Sequence, residues 1–101
     1  MAPPVARMVE DIVGCKWSLT VIALVRDGVV RPGAMERRTA GLTTKVLNER
    51  LRKMVRFGIL EQRSFPEVPP RGEYRLTRFG RRFVAILDRI DALQEEADRT
   101  A

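Results

Sequence analysis

Between Thr43 and Gly58 the chain spaces its side chains in a way that suits contact with base edges. Lys45, Asn48 and Arg52 recur at i, i+3 and i+7, so a helix would carry them in one row. An asparagine amide pairs bidentately with adenine and an arginine fork with guanine, whereas lysine neutralises phosphate. Thr43 and Thr44 stand at the head of the row. Arg71 lies in a separate proline-rich stretch, where an arginine suits a narrow minor groove or a phosphate. These six residues form the candidate DNA-binding set. The alternative for the row is a solvated polar face, and for Arg71 a solubilising loop residue.

Most other chemistry is excluded. There is no histidine and one cysteine, Cys15, which removes Cys/His zinc sites, Ser-His-Asp and Cys-His catalysis, and any intrachain disulfide. Cys15 is a candidate redox thiol, because Lys16 beside it and the start of a following helix would both lower its pKa. The competing reading is preferred: a small packing residue, since reactivity requires exposure. Asp88, Asp91, Glu95 and Glu96 fall on the polar side of a helical pattern with no nucleophile or metal ligand near them in sequence. No enzyme activity, catalytic residue, metal or cofactor is expected.

Charge points the same way as the row. Nineteen Lys and Arg against thirteen Asp and Glu give +6 and a pI of 10.7. A domain pI above about 9 is an electrostatic footprint of nucleic-acid binders. Residues 31–82 hold fourteen basic and five acidic residues, net +9, and the two ends together carry −3. A basic middle with mildly acidic ends suits one region facing a polyanion while the ends do something else.

The elements that must position these residues follow from periodicity. At 101 residues the chain has room for one domain, 1–101. Pro3 and Pro4 precede a helix over 5–13 in which Val5, Met8, Val9 and Ile12 recur at helical spacing, and Gly14 ends it. A second helix runs from Lys16 or Trp17 to Arg26, apolar nearly all round and so expected to be central and buried, with Trp17 as a core anchor. Residues 29–31 suggest a small strand, and Pro32 opens a short helix to about Thr39 with Met35 inward. Thr43 then caps a helix whose Leu47, Leu51, Met54 and Val55 form an apolar stripe opposite the basic row, stopped by Gly58. A short helix, a glycine turn and this helix make a helix-turn-helix over 32–57. Strand formers at 59–65 and 74–77 flank the Pro66-to-Gly72 tip of a hairpin, so 59–77 reads as a wing. Thr77 caps a last helix over 78–98. The fold class is mainly α with a small β-hairpin: a winged helix-turn-helix.

Several stretches then resemble one family. Gly14-Cys15-Lys16-Trp17 is similar to a Gly-Gly-Lys-Trp motif, and Thr44-Lys45-Val46-Leu47-Asn48-Glu49-Arg50-Leu51 occupies the recognition helix. Phe57-Gly58-Ile59-Leu60-Glu61-Gln62-Arg63 enters the wing, which reads Pro66-Glu67-Val68-Pro69-Pro70-Arg71-Gly72-Glu73-Tyr74-Arg75-Leu76-Thr77 and ends in Phe79-Gly80. Over about 13–87 the sequence resembles the HxlR-type transcriptional regulators, which are MarR-related. That resemblance implies a small bacterial regulator that dimerises through its first and last helices and places its recognition helix in the major groove of operator DNA. Pro32 stands where an aromatic is usual in the family, and Met35 where leucine is common. Where some members carry a sensing cysteine at the start of the first helix, this chain has prolines and Val5.

The terminal helices, 5–13 and 78–98, carry the expectation of a homodimer. Phe83, Leu87, Ile90 and Leu93 form a seam longer than one small domain needs, and Met8, Val9 and Ile12 offer a second strip. Glu49 and Arg50 read as an ion pair, and Arg78, Arg81 and Arg82 as salt-bridge partners or DNA contacts. The expected partners are double-stranded operator DNA and a second copy. No small-molecule effector is identifiable, and no membrane contact is expected, because no apolar run reaches the roughly 20 residues of a span. A cytoplasmic location follows. The alternatives are a winged-helix protein-interaction module without operator binding, and the same regulator with redox sensing through Cys15. The basic row favours DNA over protein docking.

Overall fold

Pro4 holds an extended backbone and its carbonyl accepts the amides of Arg7 and Met8, which starts α1 (Val5–Gly14). The computed structural model describes residues 2–66 and 71–100. The elements that follow are α2 (Ser18–Arg26), α3 (Pro32–Arg38), α4 (Thr44–Arg56), β1 (Leu60–Phe65), β2 (Arg71–Leu76) and α5 (Arg78–Thr100). This is the expected winged helix-turn-helix, five helices and a two-stranded antiparallel hairpin. None of the described helices is long and apolar enough to cross a membrane.

The join between α1 and α2 is tighter than periodicity suggests. Trp17 adopts a left-handed backbone with φ of 77°, so α2 begins at Ser18. A left-handed non-glycine residue costs about 1–2 kcal/mol, which ring packing against the core offsets. Gly41 in the turn before α4 lies under that ring: a β-carbon built there would stand 3.6 Å from Trp17 Cζ2. The expected all-round burial of α2 is corrected. Val21, Ile22 and Val25 are buried, but Leu19 is 44% exposed, because only one side of α2 meets other elements.

Residues 29 and 30 form no strand, contrary to expectation, yet the Tyr74 amide donates to the Val30 carbonyl at 2.8 Å and docks β2 on this link. In α4 the stripe is Leu47, Leu51 and Met54, all fully buried; Val55, expected with them, is 37% exposed. Burying each such side chain contributes about 1.5–3 kcal/mol. The hairpin also differs from its expected bounds. β2 begins at Arg71, and Gly72 pairs with Ser64 inside the ladder, so the tip is shorter than 66–72. A glycine without a side chain is tolerated in this two-stranded ribbon. Most of the tip, residues 67–70, falls outside the described residues.

One junction joins α4, the wing and α5. Gly58, at φ of 76°, turns the chain out of α4. The Thr77 hydroxyl donates to the Gly58 carbonyl and accepts the Gly80 amide at 2.8 Å, while the Thr77 amide donates to Ile59 O at 3.0 Å. Thr77 thus caps α5 as expected and clamps both ends of the wing together. Gly80 lets α5 touch the backbone of Ile59, since a β-carbon at Gly80 would lie 2.0 Å from Ile59 O.

The expected partner strips are also corrected. Met8, Ile12, Phe83 and Leu87 are buried in the chain's own core, and Val9 is partly buried against it. Ile90 and Leu93 do face solvent, 43% and 65% exposed, joined by Val5, Val13, Phe79 and Ile86. An apolar stripe of helical period contains both sets, and only packing separates them. Beyond Leu87 every described residue of α5 is exposed. A bidentate pair, Arg26 to Asp88 at 2.9 and 3.0 Å, fastens the end of α2 to α5 where burial stops.

Gly80→Ala is expected to destabilise the fold by about 2 kcal/mol or more through overpacking. Gly14→Ala, with nothing within 4 Å of the new carbon, is expected to change stability by no more than about 1 kcal/mol. Urea unfolding of both variants measures the difference, and equal losses would refute the close-approach account.

Candidate nucleic-acid interface

The interface is built on the first turn of α4. Thr43 has an extended backbone, and its Oγ1 accepts the Val46 amide at 3.2 Å, a cap of about 1 kcal/mol. The Thr44 hydroxyl donates to Glu36 and ties this turn to α3. With Leu47, Leu51 and Met54 buried, the rotation of α4 about its axis is set by the core. Lys45, Asn48 and Arg52 consequently face solvent. Among the described residues none of the three has a hydrogen-bond or ion-pair partner.

Arg52 leads from α4 toward the wing. Burial pushes the Tyr74 phenol above its usual pKa, and the nearby Arg52 charge acts in the opposite direction. Arg71 lies opposite Phe65 at the tip end of the ladder, and its side chain falls outside the described residues. On β2, buried Glu73 holds Arg75 at 2.9 Å and Arg31, from the link before α3, at 3.6 Å. These three residues and Arg38 line an open concavity between α3 and the wing. Arg78, Arg81 and Arg82 are exposed, and Arg81 donates to the Leu76 carbonyl at 3.3 Å.

The other cations of α4 divide differently. Arg50 stands 4.0 Å from Glu49, as the sequence suggests, but its Nε also donates to the Lys16 carbonyl at 3.0 Å. Lys53 Nζ lies 2.8 Å from Asp11 Oδ1, and the Cys15 thiol donates to the same oxygen at 3.2 Å. The hydrogen bond from Lys53, then that from Cys15, holds the Asp11 carboxyl below the usual value, and the Asp11 hydrogen bond raises Lys53. Sequence reasoning missed this cluster. Asp11 and Cys15 are one helical turn apart, but Lys53 is 42 residues from Asp11. The cation that reaches the thiol, at 3.7 Å, is Lys53, whereas Lys16 Nζ stands over the Trp17 ring at 5.1 Å. Cys15 itself is partly buried.

A family model described as HxlR-like helix-turn-helix matches residues 12–100. An uncharacterized HTH-type transcriptional regulator of Methanothermobacter thermautotrophicus is 36% identical over 78 residues, covering 77% of this chain and 60% of that protein. The chain thus spans about three-fifths of that relative's length. Among solved structures, a transcriptional regulator of the MarR family from Enterococcus faecalis V583 superposes with a TM-score of 0.84 at 30% identity, covering 94% of this chain and 86% of that one. Diamide-treated YodB from Bacillus subtilis superposes with a TM-score of 0.80 at 25% identity, covering 95% of each chain.

The Asp11–Lys53 pair makes stability depend on pH. A carboxylate held below its usual pKa stabilises the fold above that value, and the contribution is lost as pH falls through the folded pKa. The raised Lys53 contributes below its usual pKa and loses that contribution in strong alkali. Asp11→Asn is therefore expected to lower stability by about 1 kcal/mol at neutral pH and to converge on the parent as pH falls through the lowered pKa of folded Asp11. Urea titrations across pH check this, and a pH-independent difference would refute it.

Proposed function

We propose that this chain, which belongs to the HxlR-like helix-turn-helix family, is a dimeric DNA-binding transcriptional regulator. In this reading α4 enters the major groove and the wing meets the flanking groove or backbone. The observation that carries it is the exposed row of Lys45, Asn48 and Arg52, without hydrogen-bond or ion-pair partners among the described residues, on a capped helix whose Leu47, Leu51 and Met54 are fully buried. Such a helix presents base-reading and phosphate-neutralising groups in a fixed direction. Thr43, Thr44 and Arg71 belong to the same proposed surface. A protein-docking module would instead present apolar or acidic residues there.

The dimer is supported by α5. Its last thirteen residues, 88–100, are exposed, and an isolated helix shorter than about 12–15 residues is marginal in water. Its apolar positions Ile86, Ile90 and Leu93 continue along one side. Val5, Phe79 and Ile86 line a concavity where α1 meets α5. Covering these surfaces with a second copy would place two α4 helices on successive major-groove faces, about 34–36 Å apart.

Binding to duplex DNA should weaken with salt at a log–log slope of about −0.9 per phosphate neutralised. Asn48→Ala and Arg52→Ala should each cost about 1–3 kcal/mol and relax preference at particular base pairs. Ile90→Glu, at an exposed position, should give a folded monomer in sedimentation at micromolar concentration and weaken DNA binding. Parent-like DNA binding by all three variants would overturn the reading.

Thiol sensing through Cys15 is the second reading, favoured by Lys53 Nζ 3.7 Å from the sulfur. Against it stand the partial burial of Cys15 and its hydrogen bond to Asp11. Peroxide should leave the DNA affinity of the parent and of Cys15→Ser equal. An oxidant-dependent loss confined to the parent would make Cys15 a sensor.

A further inference from the structure

Two of the cations on α4 turn away from the exposed row, one to α1 and one to the connector between α1 and α2. Arg50 Nε donates to the Lys16 carbonyl at 3.0 Å, and Lys53 Nζ to Asp11 Oδ1 at 2.8 Å. Their positions are three residues apart, about 4.5 Å along the axis. One contact would leave α4 free to pivot about it; two along the same side fix its direction as well as its place. A third constraint comes from the turn ahead of α4, where Gly41 lies under the Trp17 ring. Trp17 is itself part of the connector, held in its left-handed backbone. The cluster is closed at the other end by the Cys15 thiol, which donates to the same Asp11 oxygen.

This arrangement spends positive charge on geometry. A helix shaped only for affinity to a polyanion would leave Arg50 and Lys53 free for phosphates. Held as they are, partly exposed pairs of this kind contribute only about 0.2–1 kcal/mol to stability. What they supply is a rigid angle between α4 and α1. We propose that Asp11 is a positioning residue for DNA binding: it ties α4 to α1 and so sets the separation at which the α4 helices of two copies meet one duplex.

The proposal rests on the dimeric DNA-binding reading, and the lever is short. With two α4 helices about 34 Å apart, a displacement of each by about 1.7 Å along the line that joins them changes their separation by about one base-pair rise of 3.4 Å. Val5, which lines the concavity proposed for the partner, is on the same helix as Asp11. A change of angle at Asp11 therefore reaches the spacing directly. Base preference within one half-site, set by Asn48 and Arg52, is left alone.

The test uses the full chain and a half-site selected by the parent from random duplexes. Inverted repeats of it are made with the spacing changed by one or two base pairs in either direction. The parent should favour one spacing by about 10-fold or more, as expected when geometry decides whether both sites engage together. Asp11→Asn and Lys53→Met should each reduce that preference by about 5-fold, while Asp11→Asn binds an isolated half-site within about 2-fold of the parent. The exchanged pair Asp11→Lys with Lys53→Asp should restore the preference. Removing a carboxylate near a polyanion by charge alone would tighten binding equally at every spacing. That result, or a preference unchanged in Asp11→Asn, overturns the proposal while leaving the dimeric reading intact. A parent with no spacing preference overturns both.

Discussion

The structure depends on the contact of Thr77 and Gly80 with Gly58 and Ile59. At this point the chain has left α4, formed the wing and returned to begin α5. A single hydroxyl bridges the carbonyl that ends α4 and the amide that opens α5. Gly80 then allows helix backbone to approach the backbone of Ile59, just before β1, more closely than any side chain would permit. The result is that the recognition helix, the root of the wing and the helix proposed for dimerisation share one rigid corner.

Charge is then divided on α4 by geometry. Burial of Leu47, Leu51 and Met54 decides which way the helix faces. Lys45, Asn48 and Arg52 are left outward without partners, while Arg50 and Lys53, on the flank, are taken up by a backbone carbonyl and a carboxylate of the α1–α2 region. Four cations and one amide on a single helix thus have two physical roles. The same division recurs at the wing. Glu73, buried, pairs with Arg75 on its own strand and with Arg31, which ties the wing to the link before α3. The basic excess of the central region is therefore larger than the charge free to meet a polyanion.

The long last helix shows a related division between core and exposed apolar surface. Phe83 and Leu87 belong to the core, and Ile90 and Leu93 lie beyond it. The Arg26–Asp88 pair marks the boundary. An apolar face that runs on past the end of the core is most economically read as a surface for a second copy, because the same residues then meet their own kind across a two-fold axis.

Features set by neighbours in the chain were legible in the sequence alone. The Thr43 cap, the Leu47–Leu51–Met54 spacing, the Gly58 stop, the Thr77 cap and the wing strands all arise from local hydrogen bonding and a helical or strand period. From them the winged helix-turn-helix and the direction of the basic row could be deduced. Tertiary structure decided everything that required two distant segments to meet. It turned Met8, Ile12, Phe83 and Leu87 inward, left Leu19 and Val55 outward, placed Gly72 inside the ladder and brought Lys53 to Asp11. A period states that residues share a face, but which part of that face meets the core depends on helices packed from elsewhere. An ion pair across 42 residues leaves no spacing in the chain to read.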